Sequence, residues 1–71
     1  MRYLKFAGKL DTYRRLHSLT IAQLSAKVGV NADTMERLLT GENAPNAANL
    51  KRIEKGLGIQ FEPEDFEEEV A

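Results

Sequence analysis

The stretch from Thr20 to Gly41, TIAQLSAKVGVNADTMERLLTG, constrains this chain more than any other. Thr20 with Gln23 three residues on has the reciprocal capping pattern that opens a helix, so a helix begins near Ile21. Ile21, Leu24 and Val28 recur at i, i+3 and i+7 and give it one apolar stripe, and Gly29 supplies the left-handed residue that ends it. Asn31 can cap a second helix, in which Met35, Leu38 and Leu39 face inward while Ala32, Asp33, Glu36 and Arg37 stay outside. Gly41 stops that helix. The stretch therefore reads as two short helices around a tight turn.

The flanks have the same helical period. Tyr3, Phe6, Leu10, Tyr13 and His17 share one face, with Ala7 beside them, which predicts a helix over roughly 4–17 whose aromatic residues pack on the third and fourth helices. Nothing before Leu4 is a good cap, so Met1-Arg2-Tyr3-Leu4 could instead be an extended arm. After the loop Glu42-Asn43-Ala44-Pro45, Asn46 can cap a helix with Leu50, Ile53 and Leu57 inside, Lys51 and Lys55 outside, and Gly58 at its end. Ile59 and Phe61 then return to the core or meet a partner chain. Pro63 fits the first turn of a short fifth helix running to about Glu69, anchored by Phe66.

Seventy-one residues hold one domain with a small core, so association is a natural source of extra stability. With no cysteine, a disulfide framework and thiolate metal sites are excluded. The lone His17, read as a helix-end or packing residue, has no clustered partner for a metal site or a catalytic triad; neither an enzyme nor a cofactor is expected. No apolar run is long enough to span a membrane and no leader pattern stands at the start, so a cytoplasmic protein is expected. The net charge of −1 averages two unlike regions. Residues 1–60 hold all ten Lys and Arg against five acids, a surplus of +5, whereas residues 61–71 hold six acids and no base. The chain divides accordingly into a basic body, 1–60, and an acidic C-terminal segment, 61–71, a short helix or tail. Such a body suits a polyanion, and the segment either tunes that binding, meets a protein partner or is a solvated end.

Two short helices around a Gly-containing turn make a helix-turn-helix unit, whose second helix can enter the DNA major groove. Leu19-Thr20, Leu24, Gly29-Val30, Leu38, Gly41, Pro45, Leu50, Ile53 and Leu57-Gly58-Ile59 together resemble the lambda-repressor-like (Cro, phage repressor, XRE-type) domains over about fifty residues. The resemblance implies an all-α fold, a compact four- to five-helix bundle with the helix-turn-helix at helices 2 and 3. It also implies a sequence-specific DNA-binding regulator: a repressor of phage or mobile-element type, a Cro-like protein or an antitoxin, acting as a homodimer on a pseudopalindromic operator.

Docking as in that family directs Asn31, Ala32, Asp33, Thr34 and Arg37 to the groove. Arg37 is the strongest reader, since its fork can bond guanine O6 and N7 together. Asn31 could bond adenine or a phosphate, Asp33 could accept from cytosine N4, and Ala32 and the Thr34 methyl could touch thymine. Thr20, Asn43 and Asn46 stand at helix starts where phosphate binds, and Lys5, Lys9 and Lys27 could attract phosphate from farther away. Leu57, Ile59, Phe61 and Phe66 are the candidates for a dimer surface.

Four positions depart from the family pattern. Ile21 stands where a phosphate-holding Gln is common, and the acidic Asp33 and Glu36 lie on the second helix. Leu39 stands where a Glu commonly pairs with an Arg at the place of Arg14, leaving Arg14 to reach solvent or backbone carbonyls, or to take Glu36 instead. These departures support an alternative from another class: a protein-interaction module on the same scaffold, docking a partner through its acidic face or tail.

Overall fold

A computed structural model describes residues 2–70, so Met1 of the expected arm and Ala71 of the acidic segment lie outside the described residues. Four α-helices follow in order: α1 Leu4–Leu16, α2 Ile21–Val28, α3 Ala32–Thr40 and α4 Ala47–Leu57. A 3₁₀ turn at Pro63–Phe66 comes last. α1 packs on α3 and on that turn, and α2 packs on both α3 and α4.

The three later helices begin and end where their own residues dictate. The Thr20 hydroxyl accepts from Gln23 N–H at 3.1 Å while Gln23 Oε1 accepts from Thr20 N–H at 2.8 Å, closing the capping box. Asn31 accepts from Asp33 N–H and Asn46 from Asn49 N–H, each at 2.8 Å. Gly29 ends α2 at φ 74° and Gly41 ends α3 at φ 81°, a region that side chains with a Cβ resist. α1 is different. Tyr3 precedes it without any side-chain cap, and its start is held instead by Tyr3 N–H donating to the Gly41 carbonyl at 2.9 Å. It ends at Leu16 without a glycine: His17 follows, and Ser18 takes the left-handed conformation at φ 53°.

Phe6, Leu10, Leu24, Met35, Leu38 and Ile53 are wholly buried and form the centre of the core. Phe6 meets the rings of Phe61 at 4.6 Å and Phe66 at 5.3 Å, so α1's main aromatic packs on the C-terminal segment rather than on α3 and α4 alone. Tyr3 and Tyr13 are half-buried, and His17 is exposed, stacked on Tyr13 at 4.0 Å. Ile21 is also exposed, so the inner face of α2 is Leu24, Ser25 and Val28. Arg14 donates to Asp11 at 2.9 Å and to the Leu19 carbonyl at 3.1 Å; Glu36 is not its partner.

The expected fifth helix shrinks to one 3₁₀ turn. Beyond Phe66 the chain is extended, and Arg2 and Glu69 exchange both backbone hydrogen bonds at 2.7 Å as an antiparallel bridge. Helical Glu67-Glu68-Glu69 would put three carboxylates at the negative end of a helix with no apolar residue to bury, whereas the bridge satisfies backbone groups at once. Glu54 Oε2 accepts from Phe61 N–H at 2.9 Å and fixes the return toward α1.

Candidate nucleic-acid interface

The face proposed by the sequence is built from α3 and the starts of α2 and α4. Asn31, Ala32, Asp33 and Arg37 are exposed, and Thr34 is half-buried. The hydrophobic side of α3 is committed inward, with Met35 and Leu38 at or near full burial. The polar side is therefore free to meet a ligand. Arg37 shares a shallow depression with Asp33, Glu36, Thr40 and Glu42. Three carboxylates around one guanidinium leave this surface net negative, so it repels phosphate except at Arg37 itself.

A second concavity lies between α3 and the start of α4, walled by Thr34, Leu38, Asn43, Pro45, Asn46 and Asn49. It brings together three of the sequence candidates, Thr34, Asn43 and Asn46. Thr20 and Lys27 are exposed on α2, Thr20 with its hydroxyl engaged in the capping box.

Lys5 and Lys9 lie elsewhere. Lys9 Nζ reaches Asp65 Oδ2 at 2.7 Å and Lys5 Nζ reaches Glu67 Oε2 at 3.6 Å, so both are turned to the acidic segment. Asp65 is buried and also accepts from Glu62 N–H at 2.8 Å. The hydrogen bond from Lys9, then that from the Glu62 backbone, hold its carboxyl below the usual range against the opposing effect of burial. Lys9 is correspondingly raised, first by its hydrogen bond to Asp65. Both lysines have ion-pair partners, and they stand on the side of α1 that also carries Gly8, Thr12 and Leu16.

Two of the four dimer candidates are consumed internally. Leu57 and Phe61 belong to the core, each 8% exposed, because the turn after Gly58 folds back onto Phe6. Phe66 packs against the same cluster from its edge, and Ile59 is half-buried beside Leu4 and Leu16.

Sequence reasoning missed what the chain's two ends contribute. Arg2 Nη1 donates to the Thr40 carbonyl at the end of α3 at 3.1 Å. Tyr3 and Glu68 stand on the rim of the concavity with Asn43 and Asn46. The Tyr3 hydroxyl is pushed above its ordinary value, first by desolvation, then by the Glu68 charge and a hydrogen bond to that carboxylate. The only advance signal was opposite charge at the two ends of the chain.

A helix-turn-helix family model matches residues 10–63, most of the chain. The protein belongs to that family, the XRE or lambda-repressor-like helix-turn-helix domains, a family of DNA-binding regulators. Neither a curated protein nor a solved structure matches it significantly. No helix among the described residues is long and apolar enough to cross a membrane.

Proposed function

We propose that the chain is a repressor that binds a pseudopalindromic operator as a homodimer, with α3 in the major groove. The observation that carries this reading is the pairing of α3's exposed polar face with a fully committed apolar one, beside helix starts that can meet phosphate. Arg37 reads a guanine, Asn31 and Asp33 contact neighbouring bases, and Asn43, Asn46 and Thr20 position the backbone.

Dimensions support the dimer. Half-sites lie about 34 Å apart along the duplex, and the longest extent of one protomer is 29 Å. With Leu57 and Phe61 spent in the core, the apolar groove of Leu4, Gly8, Thr12, Leu16 and Ile59 is the surface on which a second copy would sit. Leu16, 77% exposed, is its most prominent apolar residue.

Selection from a random duplex pool, followed by titration of the enriched site at several salt concentrations, tests the reading. A two-fold symmetric motif with a steep salt slope is the expected result, and Arg37→Ala then weakens binding by ~1–3 kcal/mol at one base position. Leu16→Glu should lower the dimer fraction in sedimentation. A second reading, a protein-docking module, is favoured by the carboxylates of Asp33, Glu36 and Glu42 around Arg37. Sequence-blind, weak DNA binding in the same titration would select it.

A further inference from the structure

Six of the chain's eleven acids lie in the last eleven residues, and the structure does not leave them in solvent as a free tail. Phe66 lies on Phe6, and buried Asp65 takes Lys9 at 2.7 Å. These two contacts tie the segment to the core. Everything after Phe66 is held at the surface: Lys5 and Glu67 at 3.6 Å with both side chains about half exposed or more, the hydrogen bond between the Tyr3 hydroxyl and the Glu68 carboxylate, and the single backbone bridge between Arg2 and Glu69. Exposed ion pairs of this kind contribute little, so residues 67–70 can lift without unpacking Phe6.

The path of this surface-held end matters. The bridge to Arg2 leads it past the C-terminal end of α3, and it sets Glu68 on the rim of the concavity that Thr34, Asn43 and Asn46 share. Glu42 stands on the same rim. No Lys or Arg lines it among the described residues. A phosphate approaching Asn43 and Asn46 therefore meets two carboxylates and no cation. With the end lifted, one carboxylate leaves the rim and the backbone bridge to Arg2 opens, while the Arg2 guanidinium still reaches the Thr40 carbonyl beside that surface.

We infer that residues 67–70 form an autoinhibitory strap, which lays Glu68 over the phosphate-facing concavity between α3 and α4 and has to lift before DNA seats fully. The inference rests on the DNA-binding reading given above. It adds a means of control to a chain whose described residues are wholly taken up by the helix bundle and its strap: whatever captures the strap raises the affinity for DNA.

Two comparisons test it with the full chain. Glu68→Gln and Glu64→Gln change the net charge equally, but Glu64 is exposed on the 3₁₀ turn outside the strap and only the first acts at the concavity. Against a labelled duplex carrying the selected site, or random sequence where none is enriched, Glu68→Gln should bind about threefold to tenfold tighter than wild type at low salt. The gap should narrow as salt rises, because the effect is screened over about 10 Å. Glu64→Gln should differ from wild type by less than about twofold. The second comparison uses Arg2→Cys/Glu69→Cys. Residues that exchange both bridge hydrogen bonds stand about 5.5 Å apart at Cα, within disulfide range, and the chain has no other cysteine. Its oxidised form should bind the duplex at least about fivefold more weakly than the same protein after reduction, reversibly. Equal gains in the two glutamine variants, or equal binding by the oxidised and reduced forms, would overturn the strap and leave DNA binding standing. No duplex binding by any form at any salt would overturn the DNA reading and the strap with it.

Discussion

The stretch from α2 to α4 and the closure of the two chain ends are stabilised in opposite ways. In the first, each helix is opened by a side chain within three residues of its start and closed by a glycine. In the second, α1 has no side-chain cap, the 3₁₀ turn is a single turn long, and each depends on groups some forty to seventy residues away: Tyr3 on Gly41, Lys9 on Asp65, Arg2 on Glu69. Local rules build the helix-turn-helix unit. Long-range contacts close the fold around it and decide where its acidic end lies.

The largest test of that contrast is Phe6→Ala. Phe6 is wholly buried and joins α1 to Phe61 and Phe66, so its truncation should cost about 3–5 kcal/mol in urea denaturation. A loss under about 1 kcal/mol would mean that the closure is an accessory to a self-sufficient helix-turn-helix. Next come two glycines inside helices. A Cβ at Gly56 would stand 2.9 Å from Val28 Cγ1, 3.0 Å from Val28 Cα and 3.2 Å from the Lys27 carbonyl, so Gly56→Ala should separate α4 from α2. A net loss of about 1–2 kcal/mol is expected after the helix-propensity gain. Gly8 meets nothing within 4 Å, and Gly8→Ala should stabilise by about 0.5–1 kcal/mol in the same assay. Opposite signs at the two sites would confirm that α2–α4 packing is close and the outer face of α1 open.

The smallest effect is a pH dependence localised at the closure. Asp65 is lowered in the folded state, so the stability it confers is full above its unfolded value, about 3.9, and is lost as pH falls through the lower folded value. Lys9 is raised, so its share persists until pH climbs through its folded value, above the ordinary lysine range. Asp65→Asn should therefore flatten the acid limb of the stability profile, with its largest difference from wild type near neutral pH. An acid limb of unchanged steepness would show that Asp65 contributes nothing to closure.

Much of the helical unit was legible because its signals are short-range. Thr20 with Gln23, Asn31 and Asn46 act on N–H groups within three residues, and Gly29 and Gly41 act on their own backbone, so spacing alone located α2, α3 and α4. The end of α1 was less legible, since it stops at Leu16 without a glycine and Ser18 takes the left-handed conformation normally left to that residue. Ile21 fell on the apolar stripe of α2 by spacing, yet as the first residue of the helix it stays 36% exposed while Leu24 is wholly buried.

By itself the sequence determined the four helices, the caps of α2, α3 and α4 and the polar face of α3, because capping and periodicity are properties of neighbouring residues. Only the tertiary structure decided the rest: that Leu57 and Phe61 fill the core instead of a dimer surface, and that Lys5 and Lys9 face the acidic segment. The same holds for Glu68 beside Asn43 and Asn46. Each of these choices turns on which distant residue arrives first at a shared space. Chain closure sets that, and no local pattern records it.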